Sequence, residues 1–188
     1  MIGKIRLSIL ICTLDYRHKY LSTLIGKLTP QINDKPVELL YLGDNKTRTI
    51  GRKRGDLLKL AQGDYVVFID DDDDVSHEYV DSILQAIESD PDCVVFDLEI
   101  HHGVNTKLVK YGINTEIKDL STHYERKVNH LMPVKRSIAL KVGYGNEKRG
   151  EDRHYAVKLE KHLKTESRID KVLYIYQYNP RLSETNKE

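Results

Sequence analysis

The sequence predicts an α/β fold: a mostly parallel central sheet with helices on both faces, in a single domain of 188 residues. Three observations carry that prediction. Apolar runs of strand length alternate with segments that are apolar at helical spacing through the first hundred residues. The runs are near-continuous rather than alternating, as strands covered on both faces require. A polar cluster follows each of the first three runs, where open α/β sheets place their ligands.

Residues 5–12 form the first apolar run, and Tyr20, Leu21, Leu24, Ile25 and Leu28 then recur at helical spacing until Pro30, which should end that helix. Residues 37–42 read as a second strand closed by Gly43-Asp44-Asn45, and Ile50, Leu57, Leu58 and Ala61 as a second helix. Gly63-Asp64 turns the chain into a third strand at 65–69, followed at once by five aspartates, Asp70, Asp71, Asp72, Asp73 and Asp74. Ser76 is the expected N-cap of a third helix carrying Tyr79, Val80, Ile83, Leu84 and Ile87, and residues 93–100 the fourth strand. The second half is less regular. One arm of a hairpin is expected at 104–111, a loop at 129–133, a short helix at 137–142 closed by Gly143, a polar loop at 145–150, and a helix at 151–163. A last strand at 172–178 should put Tyr174, Tyr176 and Tyr178 on one face and Leu173 and Ile175 on the other.

Composition is that of a water-soluble globular chain, with 39% apolar and 31% charged residues. No stretch approaches the roughly 20 apolar residues of a membrane span. Lys4 and Arg6 before an apolar run resemble a signal peptide, but Asp15 and Arg17 interrupt it and no small-residue cleavage site follows. Cys12 and Cys93 both lie inside apolar runs, so buried thiols in a reducing, cytoplasmic setting are expected. The net charge of +1 hides an asymmetry: residues 1–100 hold 12 Lys/Arg and 18 Asp/Glu, residues 101–188 hold 18 and 11. The two halves should therefore meet different partners.

Five adjacent carboxylates repel one another, so the acidic run needs a neutralising cation. Directly after a buried strand, two or three aspartates with a ligand's phosphates make a hard oxygen site suited to Mg²⁺ or Mn²⁺. A receiver-like module would need a downstream Lys on a later strand, and a nucleotidyltransferase a Gly-rich loop near the first strand; neither is present. A non-catalytic or nucleotidyltransferase-like α/β domain that binds a cation through this loop stays the alternative reading.

Four elements in order resemble the family-2-type nucleotide-sugar glycosyltransferases of GT-A fold. Cys12-Thr13-Leu14-Asp15-Tyr16-Arg17 matches the segment ending the family's first strand, with Cys12 for its proline and Leu14 for its tyrosine. Asp44 matches the aspartate that holds the nucleotide base. The stretch from Arg54 through Ala61, Gly63, Tyr65 and Phe68 to Asp73 matches the family's central segment, with Gly55 where its asparagine stands, and puts the D-x-D motif on Asp70 and Asp72. Glu151-Asp152 matches the catalytic E-D pair. The His that follows the family's last strand is replaced by Asn179.

The resemblance implies a metal-dependent, inverting glycosyltransferase that moves a sugar from a nucleoside-diphosphate sugar, UDP-sugar by preference, to an acceptor hydroxyl. Residues 1–100 would be the donor half and 101–188 the acceptor half of the same domain. It implies Asp152 as general base and Glu151 as its partner. Thr13, Leu14, Arg17, Asp44, Lys53, Arg54, Asp70 and Asp71 would hold the donor, and Asp72 with Asp70 the Mn²⁺ or Mg²⁺. His130 and Arg153 fall in the acceptor half. Arg126, Lys127, Lys135, Arg136, Lys148, Arg149 and Arg153 surround the E-D pair, so an anionic acceptor is expected: a hydroxymethylated base in DNA, as in phage DNA modification, or a cell-surface glycan.

Overall fold

The computed structural model describes residues 3–178 and is a mixed α/β domain. Its strands are β1 (Leu7–Leu14), β2 (Val37–Asp44), β3 (Tyr65–Asp70), β4 (Asp74–Val75), β5 (Cys93–His102), β6 (Asn105–Gly112), β7 (Lys118–Asp119), β8 (His123–Lys127), β9 (Val134–Lys135) and β10 (Glu166–Gln177). The helices are α1 (His18–Ile32), α2 (Ile50–Leu60), α3 (Tyr79–Ala86), α4 (Arg136–Val142) and α5 (Glu151–Glu160). β1 is flanked by β2 and β3, both parallel to it. The short β9 then runs antiparallel between β3 and the start of β5. β5 pairs with β10 in parallel along nearly its whole length and with β6 antiparallel over its second half. Both β6 and β10 pair with Leu98, so they occupy opposite edges of β5. The hairpin expected from residue 104 onward is this β5–β6 pair.

All eight residues of β1 are buried, as its unbroken apolar sequence requires of a strand covered on both faces. α1 packs on α3, and α2 packs on α4 and α5. Tyr79 of α3 meets Phe96 of β5 edge-on, with centroids 5.7 Å apart, in a core that also takes in Ile9, Val67 and Leu173. Cys12 and Cys93 are free and buried, and burial pushes both thiols up to about 12. Among the described residues no helix is long and apolar enough to cross a membrane.

Several boundaries differ from the sequence reading, for tertiary reasons. Pro30 does not end α1, which continues to Ile32. The ring removes only the bond to the Gly26 carbonyl, and the last turn closes when Asn33 N–H donates to Thr29 O at 3.2 Å. Ser76 does not cap α3: its Oγ is buried without a partner. That helix starts at Tyr79, and the Val80 N–H donates instead to Gln31 Oε1 of α1 at 3.2 Å. β10 begins at Glu166, six residues before the expected start, because Glu166-Ser167-Arg168 pair with β5 despite their polarity. α5 ends at Glu160 rather than 163. Leu173 and Tyr174 are both fully buried, so β10 is covered on both faces there.

Gly63 sits where α2 gives way to β3, against the backbone of β1. Its N–H donates to Ser8 Oγ at 2.8 Å, and a Cβ there would lie 2.7 Å from Ser8 N and 2.8 Å from Leu7 C. Gly63→Ala should therefore cost about 1–3 kcal/mol. The check is thermal unfolding, where Tm falls by several degrees; an unchanged Tm would show that β1 can move aside.

Candidate active site

The site forms where the C-terminal ends of β1 and β3 meet the N-terminal ends of α2 and α5. β1 delivers Thr13 and Leu14, and a single 3₁₀ turn, Asp15–Arg17, brings Arg17 back over the strand end. Lys53 and Arg54 stand side by side on α2, each 4% exposed, which only tight pairing permits for such residues. Lys53 Nζ donates to Thr13 O at 2.8 Å and meets Asp44 Oδ1 at 3.2 Å. Burial opposes ionisation of Asp44, but Thr47 Oγ1, the Arg48 N–H and Lys53 outweigh it and hold this carboxyl below its usual range. Asp44 is thereby tied to Lys53, which lines the cleft.

The acidic run is not a solvated turn, and every one of its aspartates is engaged by another side chain. Asp70 meets Arg54 Nη2 at 3.0 Å and His130 Nε2 at 3.7 Å. Asp71 accepts from Thr13 Oγ1 at 2.5 Å and pairs with Arg17 Nη2 at 2.7 Å. Asp72 pairs with the same nitrogen at 2.6 Å. Asp73 is buried, accepting from Tyr174 O–H at 2.6 Å and Gln177 N–H at 2.8 Å. Asp74 pairs with Lys27. Arg17, Arg54 and Lys27 offset part of the run's charge within the protein itself. Lys27, Tyr174 and Gln177 were not anticipated, since nothing local marks partners that lie 47 to 104 residues away.

Arg54 joins the two ends of the site. One Nη donates to Glu151 Oε1 at 2.8 Å, the other to Asp70 Oδ1 at 3.0 Å, and the second also lies 3.0 Å from His130 Nε2. The guanidinium rests over the Phe68 ring, 5.7 Å from its centroid. Burial opposes ionisation of Asp70, but the neighbouring His130 and the charge of Arg54 outweigh it and hold its carboxyl well below the usual range. Glu151 is raised, chiefly by burial, with Arg54 working the other way. His130 is 5% exposed and its Nδ1 has no partner.

Gly150 enters α5 with φ of +73°, a left-handed conformation that favours glycine. The turn leaves Glu151 buried on Arg54, while its neighbour Asp152 lines the cleft with its Oδ1 accepting the Arg153 N–H at 2.8 Å. Arg153 itself is exposed and outside the cleft lining. The cleft, of about 410 Å³, brings together Thr13, Leu14, Arg17, Lys53, Arg54, Asp70, Asp71, Asp72, His130, Glu151 and Asp152. Its other part is walled by Leu98 and Ile100 of β5, Tyr111 of β6, Leu131 and Tyr176 of β10.

Asp70 and Asp72 keep 33% and 20% of their side chains exposed, enough to offer oxygens to a cation. Among the described residues no three His, Cys, Asp or Glu side chains cluster to hold a metal. This donor set fits an Mg²⁺ or Mn²⁺ whose shell is completed by phosphate oxygens and water, the usual arrangement for a substrate-borne divalent ion. Asn179, which stands in place of a third ligand, lies outside the described residues.

Residues 10–140 match the family described as Glycosyl transferase family 2, and the chain belongs to that family. Solved structures agree on the fold. The chain is similar to S. aureus TarS 1-349, with TM-score 0.67 at 19% identity, over 92% of this chain and 60% of that one. It is also similar to TarS 1-349 in complex with UDP-GlcNAc, with TM-score 0.68 at 18% identity, over 93% and 59%. The complex with UDP gives 0.67 at 19%, over 93% and 61%. The chain thus spans about 60% of the length of these structures. The search of curated proteins finds no match. The fold is the GT-A fold expected from the four sequence elements.

Burial raises Asp71 to about 6, and the charges of Asp72 and Asp70 add to that, while Thr13 and Arg17 hold it back. A carboxyl with a raised native pKa binds more protons folded than unfolded between its two pKa values. Stability from this group therefore falls as pH rises from about 4 to about 6. The expected outcome is a loss of Tm across that window in the wild type that is smaller in Asp71→Asn. Identical pH profiles for the two proteins would show that Asp71 titrates normally.

Proposed function

We propose that the protein is a metal-dependent, inverting glycosyltransferase that uses a nucleoside-diphosphate sugar, UDP-sugar by preference, and an acceptor hydroxyl. The observation that carries the reading is the placement of Asp152 in the same cleft as Asp70 and Asp72, held there by the Arg54 bridge. The complexes of TarS with UDP-GlcNAc and with UDP support the choice of nucleotide. Residues 1–100 form the donor half and residues 101–188 the acceptor half. Two buried free thiols fit a reducing, cytoplasmic location.

Thr13, Leu14 and Asp44 frame the nucleotide base at the end of β1, and Lys53, paired with Asp44, lies with Arg54 toward the base or diphosphate. Asp72, with Asp70, would hold Mn²⁺ or Mg²⁺, which when bound offsets charge on the donor's phosphates. Asp152 accepts the proton of the acceptor hydroxyl as that oxygen attacks the anomeric carbon. The bond from this carbon to the phosphate oxygen breaks on the far side, its electron pair leaves with the nucleoside diphosphate, and the configuration inverts. Glu151 positions Asp152 by anchoring the first turn of α5 on Arg54. The apolar wall of Leu98, Ile100, Tyr111 and Tyr176 suits the ring of a glycan or of a hydroxymethylated base.

Asp152→Asn should bind UDP as the wild type does and lose transfer by about 10²–10⁴-fold, the range for a lost general base. Calorimetry and release of UDP from UDP-sugars check this. Loss of UDP affinity in parallel would move Asp152 out of the acceptor side. Asp72→Asn should abolish the strengthening of UDP binding by Mn²⁺ in a protein that still folds. Retained Mn²⁺ dependence would exclude Asp72 as the ligand, and wild-type protein that binds Mn²⁺ but no nucleotide would favour a simple cation-binding domain.

A further inference from the structure

Two of the cleft's cations have no balancing group. Asp70, Asp71, Asp72, Glu151 and Asp152 supply its carboxylates. Arg17, Lys53 and Arg54 are all engaged, the first with Asp71 and Asp72, the second with Asp44 and the Thr13 carbonyl, the third with Asp70 and Glu151. Lys148 and Arg149 line the same cleft, are exposed, and form no ion pair among the described residues.

The stretch just before them, residues 144–147, is held against α2 and α5. Gly51 N–H donates to Glu147 O at 3.3 Å, and Thr49 Oγ1 meets Asn146 Oδ1 at 2.9 Å. Gly51 lies so close beneath that a Cβ would come 2.6 Å from Gly145 O. At its start, Tyr144 stacks on Tyr155 of α5 with centroids 4.4 Å apart and meets Phe68 edge-on at 5.5 Å. The element it is pinned to is the first turn of α2, the helix that brings Ile50, Lys53 and Arg54 to the donor part of the cleft.

We propose that Lys148 and Arg149 form a cationic clamp on the diphosphate of the donor and on the nucleoside diphosphate that leaves. This rests on the donor reading above. Five carboxylates against three engaged cations leave the cleft with an excess of negative charge. A diphosphate adds two more charges, and a single divalent ion offsets only as many. Lys148 and Arg149 supply the remainder, and they do so beside α2 rather than beside the apolar wall of the acceptor part. As the glycosidic bond breaks, the departing phosphate oxygen gains a full charge, which preplaced cations stabilise without reorganisation.

The test is titration of UDP, inorganic pyrophosphate and uridine into the wild type and the double variant Lys148→Ala/Arg149→Ala, each in EDTA and in Mn²⁺. Loss of charge-assisted contacts to phosphate should weaken UDP and pyrophosphate about 10–100-fold in both buffers. Uridine, which lacks phosphate, should bind both proteins alike, and Lys148→Arg/Arg149→Lys should restore most of the UDP affinity. Equal binding of UDP by wild type and double variant overturns the clamp, as does an equal loss of uridine, which would mean that the segment merely packs. Wild-type protein that binds pyrophosphate but not UDP, with pyrophosphate lost in the double variant, would keep the clamp and overturn the choice of nucleotide. Absence of binding by any phosphate probe would overturn both.

Discussion

The buried guanidinium of Arg54 sets the geometry on which the site depends. It comes from the middle of α2 and reaches Asp70 at the end of β3 and Glu151 at the start of α5, two carboxylates from distant parts of the chain. A charge this deeply buried is tolerated only when its partners are in place, and removing one of them leaves an uncompensated charge that costs about 3–5 kcal/mol. The pairing is therefore a constraint as much as an attraction. It ties the acidic run to the E-D pair and fixes where Asp152 stands. Arg17 acts in the same way on a smaller scale, bridging Asp71 and Asp72 to the end of β1.

Neighbouring aspartates of the run end up with different electrostatic characters because their surroundings differ. Asp70, against Arg54 and His130, stays ionised far below the usual range. Asp71, buried with acidic neighbours, rises to about 6. Asp73, buried on Tyr174 and repelled by Asp70, is raised well above the ordinary value. Environments that push like groups apart in pKa let one short sequence hold charge in one place and shed it in another. Asp73 also supports the fold, because its bonds to Tyr174 and Gln177 hold the turn against β10, where β4 pairs.

What was legible in the sequence is what local pattern encodes. The continuous apolar runs of β1, β3 and β5 mark buried strands without help from the rest of the chain, and the acidic run after β3 marks the strand end that opens into the cleft. The failures share one cause: tertiary contacts override local signals. Ser76 looked like a cap, but Gln31 from α1 takes that role. Polar residues 166–168 did not look like strand, yet the edge of β5 recruits them, with register shifts that break alternation further along. The neutralising partners of the acidic run come from α1, α2 and β10, and no spacing rule connects Asp73 to Tyr174.

The charge difference between the two halves takes on a narrower meaning once the pairs are drawn. Arg126 pairs with Asp119, Lys127 with Glu160, and Lys135 with Asp90, so three cations expected around the E-D pair already have carboxylate partners at the surface. Arg153 is exposed and stands outside the cleft lining. Within the cleft only Lys148 and Arg149 are uncommitted among the described residues, and both follow directly on the stretch pinned on Gly51. The positive charge that the basic half brings to the cleft lining therefore comes from the short segment between α4 and α5 and not from that half as a whole.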